Sequence, residues 1–143
     1  MTSLTLKARE TFAYDRYATE ATGISIEEVQ PNHARCSVAL LPRHRNAMGA
    51  VMGGVIFTLA DLAFAAAANS GCLADNTPLA WVSFDTHVQY LAQPHGNTLT
   101  ATATCLRQGR TTCAYSITVS DEEGTPIAMV TTSGIHLPQS KIN

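Results

Sequence analysis

The chain is poor in charge. Asp, Glu, Lys and Arg together make up only 14% of its 143 residues, whereas about 25% is usual for a soluble domain. Nine Lys and Arg against eleven Asp and Glu leave a net charge of −2, and no basic run occurs. This composition argues against nucleic acid as a partner, because such binding depends on clustered cations that neutralise phosphates. A small domain with so little charge is expected to hide part of its surface against copies of itself.

The sequence also lacks long apolar runs and paired cysteines. No stretch reaches the roughly 18 residues of a membrane span, and the start, MTSLTLKARE, has no apolar signal core. A cytoplasmic protein with no membrane partner is therefore expected. The four cysteines form no C-x-x-C pair and have no histidine at metal-ligand spacing, so neither a metal site nor a cofactor is predicted.

No repeat, low-complexity tract or linker divides the chain, so a single domain over residues 1–143 is expected. Residues 6–20 predict a short helix, and the turn at Pro31 and Asn32 joins two predicted strands. Apolar and polar side chains alternate along the second of these strands, with the period of two that a half-buried strand needs. The strands are predicted at 24–29, 33–41, 79–91, 98–107, 111–120 and 126–137.

A long apolar helix is predicted between the two groups of strands. Residues 52–69 lack proline, are rich in Ala and Leu, and stop at the helix terminator Asn69-Ser70-Gly71. All faces of this helix are nearly equally apolar, which predicts burial all round. The order of elements predicts an α+β fold in which an antiparallel sheet wraps around the helix, and another subunit covers the rest of the helix.

Asp61 lies in the middle of this apolar helix, with no Lys or Arg within a turn. Burying an unpaired carboxylate is costly. One interpretation is a structural carboxylate that bonds a hydroxyl such as Thr58, and the other is a base or nucleophile held where water is scarce. The second is favoured because Gly53-Gly54 opens the same helix, where free N–H groups and the helix dipole can polarise a carbonyl group.

Gly53 and Asp61 are eight residues apart, which corresponds to a rise of roughly 12 Å along one helix. One carbonyl group cannot touch both. If both serve one reaction, Gly53 of one subunit must face Asp61 of another, so the pattern predicts a site shared across a two-fold interface.

The segment from Asn46 to Asp61, NAMGAVMGGVIFTLAD, resembles the hotdog-fold acyl-CoA thioesterases, in particular the phenylacetate-degradation type. The likeness extends through 82–94 and 106–111 and covers about residues 10–137. The resemblance implies a hotdog fold, thioester hydrolysis of an acyl-CoA substrate and a homodimer or dimer of dimers. It implies four catalytic residues: Asp61 as nucleophile or base, the Gly53 N–H as carbonyl donor, Asn46 orienting the thioester or water, and Ser83 positioning that water.

Asn46 and Ser83 each have a second interpretation without a catalytic role. Asn46 is then an ordinary turn residue, and Ser83 is a small residue in a packed strand. Substrate contacts are predicted for the helix start and a later glycine turn, through Met52, Gly54, Phe57, Arg107, Gly109 and Arg110. The two arginines of this turn suit CoA phosphates, with Arg43 and Arg45 as a second group.

Met52 departs from the family pattern, which usually has histidine before the two glycines. His44 is the nearest histidine in sequence and is expected to lie exposed in a loop. The departure leaves two alternatives open beside hydrolysis: an acyl-CoA-binding module without activity, and a hotdog hydratase or dehydratase. The latter chemistry usually needs a histidine paired with a carboxylate.

Overall fold

The computed structural model describes residues 1–138, so the last five residues of the predicted domain lie outside the described part. Helix α1 spans Ser3–Phe12, and the Thr2 hydroxyl caps it by accepting the Thr5 N–H at 3.1 Å. A separate π-helical turn follows at Tyr17–Ala21. The prediction of one helix over 6–20 is therefore wrong at both ends, because the Thr2 cap starts the helix earlier and the chain leaves helical geometry after Phe12.

The structure contains six strands: β1 Ile24–Gln30, β2 His33–Ala39, β3 Trp81–Tyr90, β4 Thr98–Gln108, β5 Thr112–Asp121 and β6 Pro126–His136. They form one antiparallel sheet in the order β1-β2-β4-β5-β6-β3. The predicted strands are all present, with ends shifted by up to two residues. Buried side chains alternate with more exposed ones along β2 and β5, as the half-buried pattern requires.

The long helix, α2, spans Gly53–Ala68 and packs on the inner face of this sheet. Phe64 is buried and meets Tyr115 of β5 edge to face, with ring centroids 5.6 Å apart. The predicted sheet wrapped around a central helix is thus confirmed. Gly54, Phe57 and Asp61 lie on an exposed stripe of α2 that none of the described strands covers. Cover of this stripe by another subunit stays a prediction.

A short third helix, α3, spans Ser70–Asp75 directly after α2 and was not predicted. Asn69, between the two helices, is buried. Its side-chain amide donates to the Ala65 carbonyl at 2.9 Å, and its oxygen accepts the N–H groups of Ala80 and Trp81 at 3.0 and 2.9 Å. Asn69 therefore ends α2 as predicted, but it does so by linking α2 to the start of β3.

Strand β3 forms an edge of the sheet. Among the described residues it pairs only with β6, and it leaves the large side chains of Val82, Phe84 and Tyr90 41%, 62% and 54% exposed. A ten-residue edge carries a row of unpaired backbone groups that can pair with another chain. Within residues 1–138, no helix is long and apolar enough to cross a membrane.

Candidate active site

Asp61 lies beside an open cleft of about 470 Å³ between α2 and the segment before the π-helical turn. Its carboxylate is on the exposed stripe of α2. The walls are mostly apolar or aromatic, and they also carry a second acidic residue, Asp15, and one arginine, Arg16. The lining residues are Asp15, Arg16, Tyr17, Ala18, Phe57, Thr58, Asp61, Leu62 and Ala65.

The structure argues against a purely structural role for Asp61. The Thr58 hydroxyl donates to the Gly54 carbonyl at 2.8 Å, which is the usual way for a helical threonine to satisfy itself. Between residues 1 and 138, no side-chain hydrogen bond or ion pair reaches Asp61. Its carboxylate is therefore available to a ligand or water in the cleft.

The surroundings of Asp61 favour its protonated form. Although the carboxylate reaches solvent, the surrounding residues of α2 and residues 15–18 displace much of its hydration, and this burial raises its pKa. The negative charge of Asp15 raises the pKa of Asp61 further. Burial also raises the pKa of Asp15 itself. The two carboxylates line one cleft, and the charge of Asp15 is thereby coupled to the titration of Asp61.

This coupling gives a prediction for Asp15→Asn. The substitution removes the neighbouring negative charge, so the ionised form of Asp61 becomes more favourable and its pKa falls. We expect carboxyl ¹³C NMR titration to show the Asp61 transition at lower pH than in the wild type. Asp75→Asn, on the exposed side of α3, is the matched control and should leave that transition unchanged. An unaltered Asp61 titration in Asp15→Asn would contradict the coupling.

Gly53 is the first residue of α2, so its N–H has no acceptor within the helix. The preceding Met52 carbonyl accepts the N–H groups of Val55 and Ile56 at 3.0 and 3.4 Å. These bonds hold the carbonyl end of the peptide that carries the Gly53 N–H. That N–H finds no acceptor anywhere in the described chain, so the structure supplies the free donor that the sequence predicted.

The Tyr90 side chain lies against Gly53. Its hydroxyl donates to the Gly53 carbonyl at 3.1 Å. A Cβ atom at Gly53 would come within 3.0 Å of the Tyr90 ring carbon Cζ and the hydroxyl. A larger residue at Gly53 would therefore require the Tyr90 ring to shift slightly.

Asn46 shapes the loop before α2. Its side-chain oxygen accepts the N–H groups of Met48 and Ala50 at 2.9 and 3.0 Å, and Gly49 completes the turn with φ +81°. The oxygen is used by the loop, as the turn-residue interpretation predicts. The side-chain amide group of Asn46 can still donate to a ligand.

His44 is buried, so the expected exposed loop histidine is wrong. Its Nδ1 accepts the Leu41 N–H at 2.9 Å, and Nε2 donates to the Thr22 carbonyl at 2.7 Å. Its own carbonyl accepts the Met52 N–H at 2.9 Å. Both ring nitrogens of His44 are used in these hydrogen bonds, so His44 cannot take the place of the family histidine for which Met52 is substituted.

Ser83 lies on β3 opposite Gly134 of β6, beside an irregularity in the strand pairing. Its side chain is exposed, whereas the interpretation as a residue of a packed strand predicts burial. It does not line the Asp61 cleft of the same chain. Its position on the edge strand leaves it open to a neighbouring subunit.

The predicted phosphate contacts lie apart from Asp61. Arg107 and Arg110 are exposed at the β4–β5 hairpin and do not line its cleft. Gly109 is needed for the turn itself, because a Cβ would lie 2.8 Å from the Thr112 carbonyl oxygen. Arg43, from the second arginine group, instead lines a smaller cleft of about 160 Å³ next to the helix start, together with Met52 and Gly54.

Sequence reasoning missed three residues of this region: Asp15, Tyr90 and Gln93. The Gln93 side-chain oxygen accepts the Val51 N–H at 3.0 Å, just before the helix. Gln93 acts across 42 residues of chain and Tyr90 across 37, and no local pattern signals such contacts. The charged residues around Asp15 are typical of a solvent-exposed helix face, so the sequence does not indicate that Asp15 belongs to the site.

Comparison with known proteins identifies related chains. A family model described as the thioesterase superfamily matches residues 48–128. The acyl-coenzyme A thioesterase PaaI of Escherichia coli K12 is 31% identical to this chain over 112 residues, which cover 77% of this chain and 75% of that protein.

Solved structures agree. The E. coli PaaI protein from the phenylacetic acid degradation operon superposes with a TM-score of 0.80 at 28% identity, covering 95% of this chain and 97% of that one. A variant of the phenylacetic acid degradation protein PaaI from Thermus thermophilus gives a TM-score of 0.73 at 26% identity, over 83% and 97% of the two chains. The fold described above is therefore the hotdog fold.

Proposed function

This chain belongs to the thioesterase superfamily and is a thioesterase, and from this premise we propose that it hydrolyses an acyl- or aryl-CoA thioester to the free acid and CoA. The observation that carries the proposal is the unpaired Asp61 carboxylate in a largely apolar cleft. The PaaI relatives support CoA thioesters as the substrate class.

In the proposed reaction, the thioester carbonyl oxygen accepts a hydrogen bond from the Gly53 N–H, which stabilises the negative charge that develops there. Asp61 either takes a proton from the attacking water or attacks the carbonyl carbon to form a mixed anhydride that water then hydrolyses. In both routes a C–O bond forms and the C–S bond breaks with its electron pair on sulfur, and the CoA thiolate takes up the proton that the water loses to become the thiol. Asn46 and Ser83 are proposed to orient the thioester and the water.

The site is proposed to be shared between two subunits. Gly53 and Asp61 are on one continuous helix, and the rise of roughly 12 Å between them is too long for one carbonyl group to reach both. Two observations support a second copy as the source of the missing group. The α2 stripe around Asp61 is uncovered, and the edge strand β3 has a free side with exposed Val82 and Phe84.

The cleft beside Asp61 is proposed to take the acyl group. Phe57, Leu62 and Ala65 of α2 supply an apolar wall, and the exposed Tyr17 ring faces them from the π-helical turn. Arg107 and Arg110 are proposed to bind CoA phosphates across the assembly, since they are exposed and do not line the Asp61 cleft of their own chain.

A panel of CoA thioesters tests the activity. We expect the purified protein to release free thiol from at least one member of a series of short, medium, phenylacetyl and benzoyl thioesters. Tight binding of these compounds without thiol release would instead favour a binding module, the alternative that Met52 at the helix start suggests.

None of the described histidines lines the Asp61 cleft, so the structure gives a hydratase no support.

A further inference from the structure

We propose that Tyr90 is a positioning residue that fixes the start of α2 so that the Gly53 N–H keeps a single orientation toward the substrate. This inference rests on the proposed role of Gly53 as the carbonyl donor. It assigns to Tyr90 a function that neither the sequence pattern nor the relatives' names indicate.

The helix start needs such a restraint. Gly53 and Gly54 are consecutive glycines in the first turn, and glycine has the widest backbone freedom of any residue. The first N–H groups of a helix are not held by intrahelical bonds. Met52, the cap residue, makes no side-chain capping bond. Left alone, this first turn would fray, and an N–H that changes direction is a poor donor.

Tyr90 restrains Gly53 in two ways. Its hydroxyl holds the Gly53 carbonyl at 3.1 Å and thereby orients the peptide between the two glycines. Its ring also closes on the Gly53 Cα so tightly that no larger residue fits without movement, with an added Cβ 3.0 Å from Cζ. The two residues before Gly53 are held by other bonds. The Val51 N–H donates to the Gln93 side-chain oxygen, and the Met52 N–H donates to the His44 carbonyl.

The placement of Tyr90 is hard to explain by core packing. Its side chain is 54% exposed at the last position of β3, so the ring contributes little to burying apolar surface. The bond it makes is directed at one glycine 37 residues earlier. A tyrosine that its own chain leaves half exposed, and whose hydroxyl bonds one backbone carbonyl, fits a positioning role.

The test is Tyr90→Phe, which removes only the hydroxyl. We expect kcat to fall about fivefold, the effect of one lost hydrogen bond, with KM and oligomeric state unchanged and the melting temperature lowered by no more than about 4 °C. Hydrogen exchange of the ¹⁵N-labelled Val55 and Ile56 amides, which donate to the Met52 carbonyl in the same turn, should become faster by a similar factor. Tyr14→Phe is the matched control, because the Tyr14 side chain is largely solvated and lies outside the site, and it should change neither quantity.

Two results would overturn the proposal: unchanged kcat with unchanged exchange of the Val55 and Ile56 amides in Tyr90→Phe, or an effect on KM alone, which would make Tyr90 a substrate contact. Failure of the underlying function looks different. In that case removal of the Gly53 N–H itself would leave kcat intact, while the exchange rates of the Val55 and Ile56 amides would still report whether Tyr90 restrains the first turn of α2.

Discussion

Asp61→Asn is expected to lower kcat by about 10²–10⁴-fold, the usual contribution of a general base. Asparagine has nearly the same shape as aspartate, but its amide can neither accept the proton of water nor attack a carbonyl. Because the substitution leaves the cleft's apolar walls in place, the dissociation constant of the CoA thioester should change little. Thiol release and calorimetric binding measure the two effects separately.

The same variant should not be less stable. Burial and Asp15 raise the pKa of Asp61 in the folded protein, so the folded state favours the protonated form more than the unfolded state does. The stability this provides is fully present below the ordinary aspartate pKa and is lost as pH rises through the raised value. At neutral pH the charged carboxylate therefore opposes folding, and Asp61→Asn should melt at an equal or higher temperature.

Loss of activity together with retained or improved stability separates a catalytic effect from a folding defect. Asp75→Asn again serves as the control and should keep full kcat. An Asp61→Asn protein that turns over as fast as the wild type would remove Asp61 from the mechanism.

Gly53→Pro is expected to lower kcat by about 10²–10³-fold relative to Gly53→Ala, the cost of removing one donor to a developing oxyanion. Proline removes the N–H but is tolerated at the first position of a helix, and the extended backbone of Met52, with ψ 136°, suits a following proline. Both variants place a Cβ against the Tyr90 ring, so their comparison isolates the N–H. Equal kcat values for the two variants would contradict the proposed donor.

Mixing the two defective proteins tests whether the site is shared. Random exchange of Asp61→Asn and Gly53→Pro subunits makes about half of the dimers heterodimers, and each would rebuild one complete site. We expect about a quarter of wild-type activity to return, because half of the dimers then carry one of two sites. Sites contained within one chain predict no recovery, since every chain then lacks one of the two groups.

Local patterns in the sequence were sufficient to predict the strands and the central helix. The period of two along residues 33–41 and the apolar run from residue 52 onward indicated these elements. The spacing of Gly53 and Asp61 depends only on helix geometry, so a shared site could be predicted without coordinates. The unusual position of Asp61 among apolar neighbours was visible for the same reason.

The remaining features depend on contacts between distant segments. Polar neighbours around His44 indicate an exposed loop, but bonds to Leu41 and Thr22 bury it. The sequence Asn69-Ser70-Gly71 is typical of a helix end. The structure instead begins a second helix at Ser70, and the Asn69 side chain between the two helices bonds the start of β3. Tyr90 acts on Gly53 only once the sheet has folded over α2.

The free edge of β3 also affects the tendency of the protein to aggregate in a crowded cell. A ten-residue edge strand with one unpaired side is a template for aggregation. If the site is shared as proposed, an isolated subunit would be both inactive and prone to misassociation. A partner that covers this strand would then remove the hazard while it supplies the second catalytic group. Substitutions that weaken the pairing would then reduce protein abundance as well as turnover, which ties the maintenance of solubility to the maintenance of chemistry.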